Sequence, residues 1–199
     1  MHLYAGFAAR CLLPDLAVEP LELSGYAARI QPATGVRDPL QVGALALATE
    51  AAKPHLLIAL DLCAAAAAAA ALDALAPCRL GWGRAVLTDP PWGNRRDPAG
   101  VVDLRLHGLK IERADRLRTP VCLLWSAACH AVVLEASERR ISADWVGVVR
   151  ARLPYPPLFV PGCCGDQNPK RRGESALADW TAVADRLQAR CGVRRPPLR

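Results

Sequence analysis

The stretch HLLIALDLCAAAAAAAALDALAP, His55 to Pro77, decides what kind of fold this chain has. Its first eight residues, His55–Leu62, are almost wholly apolar and follow Pro54. An apolar run of this length without polar alternation predicts a strand buried on both faces. Eight consecutive alanines come next, Ala64 to Ala71. Alanine is the best helix former, so Ala64–Ala76 predicts a helix, with Pro77 as its stop. Its large apolar side chains are Leu72 and Leu75, so it has little to bury. A strand running straight into a helix is the unit of an α/β fold.

The same alternation continues outward in both directions. Upstream, Tyr4–Cys11 and Leu21–Ile30 predict short strands, and Gly35–Leu40 a bend before the apolar stretch Val42–Ala48. Downstream, Leu80–Leu87 predicts a strand and Thr88–Gly100, rich in Pro, Gly and Asn, a loop. Val102, Leu104 and Leu106 alternate with Asp103, Arg105 and His107, which predicts a half-buried strand over Val101–His107. Val121–Trp125 and Leu158–Val160 predict further strands. Ser142 is placed to cap a helix holding Trp145, Val148 and Val149. Leu177, Trp180, Ala184, Leu187 and Cys191 share one face of a last helix, closed by Gly192. With no internal repeat and no long linker, the expected fold is α/β: a mixed sheet with flanking helices in a single domain over residues 1–199.

Composition narrows the class. Hydrophobic residues make up 52 % and charged residues 22 % of the 199, which fits a globular chain and not a disordered one. No apolar stretch reaches the ~20 residues of a transmembrane segment. The start, MHLYAGFAARCLLPDL, lacks a charged opening followed by a long apolar block, so no signal peptide is predicted and the expected location is cytoplasmic. The net charge of +6 comes from 22 arginines and three lysines (Lys53, Lys110, Lys170), scattered along the chain. The densest group, Lys170–Arg172, has no stacking aromatics beside it, so it reads as solvated surface and no nucleic-acid partner is expected. None of the eight cysteines forms a Cys-x-x-Cys pair, which speaks against zinc ribbons and redox motifs. Most read as small buried hydrophobes.

Chemistry in α/β proteins gathers in loops past strand ends. Three loops qualify: Trp92–Arg96, Cys129–His130 and Gly165–Pro169. They offer guanidinium groups for an anion, an imidazole that can ligate metal or move protons, and a tight turn presenting polar groups. That set is compatible with hydrolysis. Its parts also have ordinary structural uses, a histidine after a strand and Asp or Asn near proline in a turn.

Nine stretches in order carry a resemblance. They are Ala5–Ala8 (AGFA), Leu23–Tyr26 (LSGY), Gly35–Leu40 (GVRDPL), Leu60–Leu62 (LDL), Leu80–Gly83 (LGWG), Asn94–Arg96 (NRR), Ala128–His130 (ACH), Ile141–Asp144 (ISAD) and Gly165–Pro169 (GDQNP). Together they resemble the N-terminal domain of the neutral/alkaline, non-lysosomal ceramidases. Members of that family are zinc amidohydrolases that cleave the N-acyl amide of ceramide. The resemblance implies zinc as cofactor and His130 as one of its ligands. It also implies that Arg95 helps shape the active site, and that the loop carrying Asp166 and Asn168 lies beside the metal. Asn168 stands where true ceramidases carry a serine. An amide is no nucleophile, although its donors can polarise a carbonyl, so the change argues against ceramide more than against hydrolysis.

The resemblance also gives the alanines a meaning. In the family, the Leu-Asp-Leu strand leads into a loop with a His-Thr-His motif, the source of the first zinc histidine; here it meets Ala64, and no His-x-His occurs in the sequence. This implies an internal deletion near residues 63–64. The family's remaining ligands, a glutamate and a tyrosine, are expected beyond Arg199. Cys129, Cys163, Cys164 and Asp166 are candidates for a rebuilt site. Cys129 and His130, as neighbours, would point to opposite faces of an extended backbone. His2, His55 and His107 are weaker candidates. Two functions follow: a zinc amidohydrolase acting on an N-acyl (lipid) amide, or a shortened non-catalytic relative serving as a binding or partner module. The second predicts exposed apolar surface and self-association.

Overall fold

The computed structural model describes residues 2–11, 31–50, 53–60 and 65–190. Seven strands form the main sheet: β1 (Leu3–Cys11), β3 (Gln41–Thr49), β4 (His55–Leu60), β5 (Ala76–Val86), β7 (Arg105–Arg113), β8 (Pro120–Ser126) and β10 (Pro157–Phe159). Their order is β10-β8-β7-β5-β1-β3-β4. All neighbours run antiparallel except β10 and β8, which are parallel. That parallel pair is joined through helix α2 (Asp144–Arg152), as a parallel connection requires. Two small ladders complete the strands: β6 (Trp92–Asn94) with β11 (Gln167–Pro169), and β2 (Gly35–Val36) with β9 (Arg140–Ile141). The α/β mixed sheet with flanking helices is therefore present. No helix among the described residues is long and apolar enough to cross a membrane.

The sheet curls. β10 touches β3, and β1 touches β8, although neither pair is adjacent in the strand order. The inside of the curl holds a core of Ala5, Leu45, Cys78, Ile111, Cys122 and Leu158. Outside, α2, a 3-10 helix over Glu174–Trp180 and α3 (Thr181–Arg190) cover β5, β7 and β8. There Trp92 stacks on Trp180, and Trp180 on Trp145 with centroids 4.0 Å apart. Trp180, Ala184 and Leu187 face this core, as their spacing predicts. The first helix, α1 (Ala65–Asp73), covers β1 and β3 through Ala71 and Leu72, and Leu75 just past its end packs there too.

Several expectations need correction. β4 is not buried on both faces. Among the described residues it is the outermost strand, bonded only to β3, and Leu56, Leu57 and Ile58 are 42 %, 37 % and 38 % exposed. Pro77 does not stop the helix; α1 ends at Asp73, and Pro77 lies inside β5 opposite Tyr4. The half-buried strand begins at Arg105 and not at Val101, so β7 spans the region the alternation marked only at its start. The loops Thr88–Gly100 and Gly165–Pro169 each contain a short strand, because they pair with each other. Leu21–Ile30, Leu23–Tyr26, the junction at 63–64, Cys191 and Gly192 lie outside the described residues.

Candidate functional site

The three loops marked in the sequence meet. β6 and β11 pair Asn94 with Gln167 and Gly93 with Asn168. The Arg95 N–H donates to the Asp166 carbonyl at 2.7 Å. The His130 N–H donates to the Gln167 carbonyl at 3.0 Å, which ties the loop after β8 to the same ladder. After β10, Val160 and Gly162 donate to the carbonyls of Trp125 and Ala127. Gly162 packs close to that loop, since a Cβ there would lie 3.3 Å from the Ala128 backbone.

Within that cluster the side chains divide by task. Arg95 spends its guanidinium on the Gly165 carbonyl, through Nε at 3.3 Å and Nη2 at 3.0 Å. Asp166 accepts from Gln167 Nε2 at 2.9 Å and Asn94 Nδ2 at 2.8 Å, and these bonds, Gln167 first, hold its carboxyl below the usual range. The Asn168 amide bridges the Gln167 carbonyl and Arg172 Nη2, each at 3.2 Å, once its oxygen and nitrogen are oriented to suit both. None of the three lines the adjoining groove. They brace the loops around it.

His130 does face the groove. The groove encloses about 650 Å³, a ligand-sized space. Gly43, Leu57, Ile58, Leu158 and Phe159 form an apolar wall from β3, β4 and β10. His130, Cys164, Ser142 and Arg150 bring the polar groups. Cys164 Sγ lies 3.9 Å from His130 Nδ1, a contact between residues 34 positions apart. Cys129 also lines the groove but is buried in the outer core, and the backbone after Ser126 has left the strand, so the condition of an extended backbone is not met; the Cys129 thiol turns to the His130 carbonyl at 3.4 Å. Burial pushes the Cys129 thiol up, which keeps it protonated.

Asp144 fixes this loop from beneath. Its buried carboxylate accepts the backbone N–H groups of Val133, Leu134 and Trp145 at 3.0, 2.8 and 2.7 Å. Trp145 Nε1 then donates to the His130 carbonyl at 3.0 Å. Ser142 is not the N-cap of α2: Ala143 holds that position without a side-chain cap bond, and Ser142, one residue earlier, accepts from the Asp144 N–H at 2.9 Å. Asp38 anchors that turn by accepting from Ser142 Oγ and from the Ala143 N–H.

A catalytic zinc takes about three protein ligands and keeps one open position. Among the described residues, no three His, Cys, Asp or Glu side chains converge closely enough to hold a metal ion. Asp144 and Asp166 are committed to N–H donors, and Cys163 is exposed. The weaker candidates lie elsewhere: His2 sits 3.9 Å from Glu50, His55 is on the exposed β4, and His107 packs against Trp82. The described donor set does not fit zinc.

Among solved structures, the chain superposes on the neutral ceramidase of Pseudomonas aeruginosa with a TM-score of 0.76, at 12 % identity, over 96 % of this chain and 44 % of that one. The fold is ceramidase-like. A ceramidase complexed with C2 gives a TM-score of 0.75, at 12 % identity, over 96 % of this chain and 43 % of the other. The chain thus spans less than half the length of either ceramidase. No protein-family model and no curated protein sequence matches it.

Proposed function

We propose that this chain is a ceramidase-like domain that binds the acyl portion of an N-acyl amide or related lipid in the groove beside His130, and that its described residues do not by themselves make it a zinc hydrolase. The observation that carries this reading is the groove: a ligand-sized space with an apolar wall and a small polar group at His130 and Cys164. An acyl chain matches the wall, and an amide or carboxyl group matches the polar end.

The second reading is the zinc amidohydrolase. It is favoured by the meeting of the Arg95, His130 and Asn168 loops, the three positions that the ceramidase resemblance assigns to an active site. The incomplete donor set weighs against it.

Titration with a fluorescent long-chain fatty acid and with its N-acyl amide tests the first reading. Saturable binding is expected, weakened about tenfold in Leu57→Arg, which puts a charge on the apolar wall. Absence of binding by the folded chain overturns it. Elemental metal content, measured on protein never exposed to chelator or an affinity metal, tests the second. Roughly one zinc per chain, lost in His130→Ala and accompanied by chelator-sensitive amide cleavage, would establish the hydrolase in place of the binding domain.

A further inference from the structure

The described cysteines fall into distinct environments. Cys78, Cys122 and Cys129 are buried, and burial pushes each thiol up. Cys11 and Cys163 are exposed, and neither lines the groove. Cys164 alone among the described cysteines combines partial exposure, a place in the groove and an imidazole nitrogen at 3.9 Å. A thiol beside a base is the minimal arrangement for nucleophilic cysteine chemistry, and such pairs are often looser before a ligand arrives.

We propose that Cys164 and His130 form a thiol–imidazole pair that receives an acyl group from an acyl thioester lying in the groove. The proposal rests on the reading of that groove as an acyl site. The pair is held by more than its own contact. The Gln167 N–H donates to the Cys164 carbonyl at 2.9 Å, and the Gln167 carbonyl accepts the His130 N–H at 3.0 Å. One residue of the braced β11 ladder therefore spaces the thiol from the imidazole. Leu57, Ile58 and Phe159 offer the apolar surface for the chain of the acyl group.

The step balances without an oxidant or a metal. With Nδ1 as acceptor, the His130 hydrogen sits on Nε2. Cys164 Sγ attacks the carbonyl carbon of the acyl thioester while Nδ1 takes the thiol proton. The bond from that carbon to the donor sulfur breaks, and the imidazolium returns the proton to the departing thiolate. The products are a thioester on Cys164 and a free thiol.

The test is incubation of the full chain with palmitoyl-coenzyme A, followed by intact and peptide mass spectrometry with and without hydroxylamine. A single hydroxylamine-labile acyl group on Cys164 is expected in the wild type and in Cys163→Ser, and none at that position in Cys164→Ser. His130→Asn should slow acylation roughly tenfold or more, since a positioned base contributes on the order of 10²–10⁴. A second measurement needs no variant: at neutral pH, iodoacetamide should alkylate the half-buried Cys164 faster than the exposed Cys163. Equal labelling of both cysteines, or indifference to His130→Asn in a folded chain, overturns the pair. So does failure to acylate while the free fatty acid still binds, an outcome that leaves the groove reading standing. If neither binding nor acylation occurs, both fall.

Discussion

Asp144 is the residue on which the site's shape depends. It sits in the left-handed region at φ 57°, a conformation that Asp tolerates better than most side chains, and its carboxylate closes three backbone bonds. Asp144→Ala leaves three buried N–H groups without that acceptor and should cost about 3 kcal/mol in a urea titration. Asp144→Asn keeps an oxygen for Val133 and Trp145 and gives up the bond from Leu134, so its loss should be roughly half as large. A full loss in Asp144→Ala beside none in Asp144→Asn would show that the backbone conformation, which Asn also tolerates, and not the carboxylate, sets the cost. Part of this was legible in the sequence: Ser142 reads as a cap, one residue before the true one, and Ile141–Asp144 as a motif. The reach of Asp144 back to residues 133 and 134 was not, because no periodicity encodes it. The Cys164–His130 contact is hidden for the same reason. Both cysteine and histidine stand out as reactive types, but only pairing of the β6 and β11 loops brings them together.

At the scale of elements, the alanine run is explained by what lies under it. A Cβ on Gly6 of β1 would lie 2.1 Å from the Ala71 carbonyl oxygen and 2.8 Å from the Ala74 carbonyl carbon. The helix backbone therefore rests directly on the strand, an approach that needs small residues on both sides. Gly6→Ala should push α1 off β1 and cost about 1–3 kcal/mol, the usual penalty of overpacking. Ala69→Glu, on the exposed side of α1, is the control and should stay within about 0.5 kcal/mol of the wild type. Thermal melts of the two variants decide it, and similar melting points would remove the close-packing account. The small β2–β9 ladder has its own fastening, Glu138, which accepts from Arg140 at 2.6 Å and Arg37 at 3.3 Å. These guanidinium groups, Arg140 foremost, hold the Glu138 carboxyl at about 2. A carboxyl held below its unfolded value of ~4.3 adds stability above that pH and loses it as pH falls toward 2. Urea midpoints measured from pH 6 down to pH 2 should therefore drop further for the wild type than for Glu138→Gln. The difference should be about 1 kcal/mol, the upper end for a partly exposed pair. Parallel curves for the two proteins would show that the clamp contributes nothing.

For the whole molecule, local patterns reported which segments are strands and helices but not where each strand sits in the sheet. The run His55–Leu60 shows why. Its continuous apolar character is what a central strand has, yet among the described residues β4 lies at the rim, because position depends on pairing among segments far apart in sequence. An apolar edge strand presents unpaired backbone groups and exposed side chains to any matching strand. Leu57 lines the groove, whereas Leu56, opposite Ala46, does not. The two positions can thus be tested apart. We predict that the chain associates with a second copy of itself along β4. Sedimentation velocity over a hundredfold dilution should show the wild type shifting to smaller species, and Leu56→Lys should already be the smaller species at the highest concentration, since a lysine on an edge opposes strand pairing. Acyl binding in the groove should survive that substitution, because Leu56 does not line it. A wild-type chain that sediments as one monomeric species throughout would refute association through β4. It would also mean that the exposed Leu56, Leu57 and Ile58 are tolerated by a solitary ceramidase-like domain, and that the apolar surface serves the groove alone.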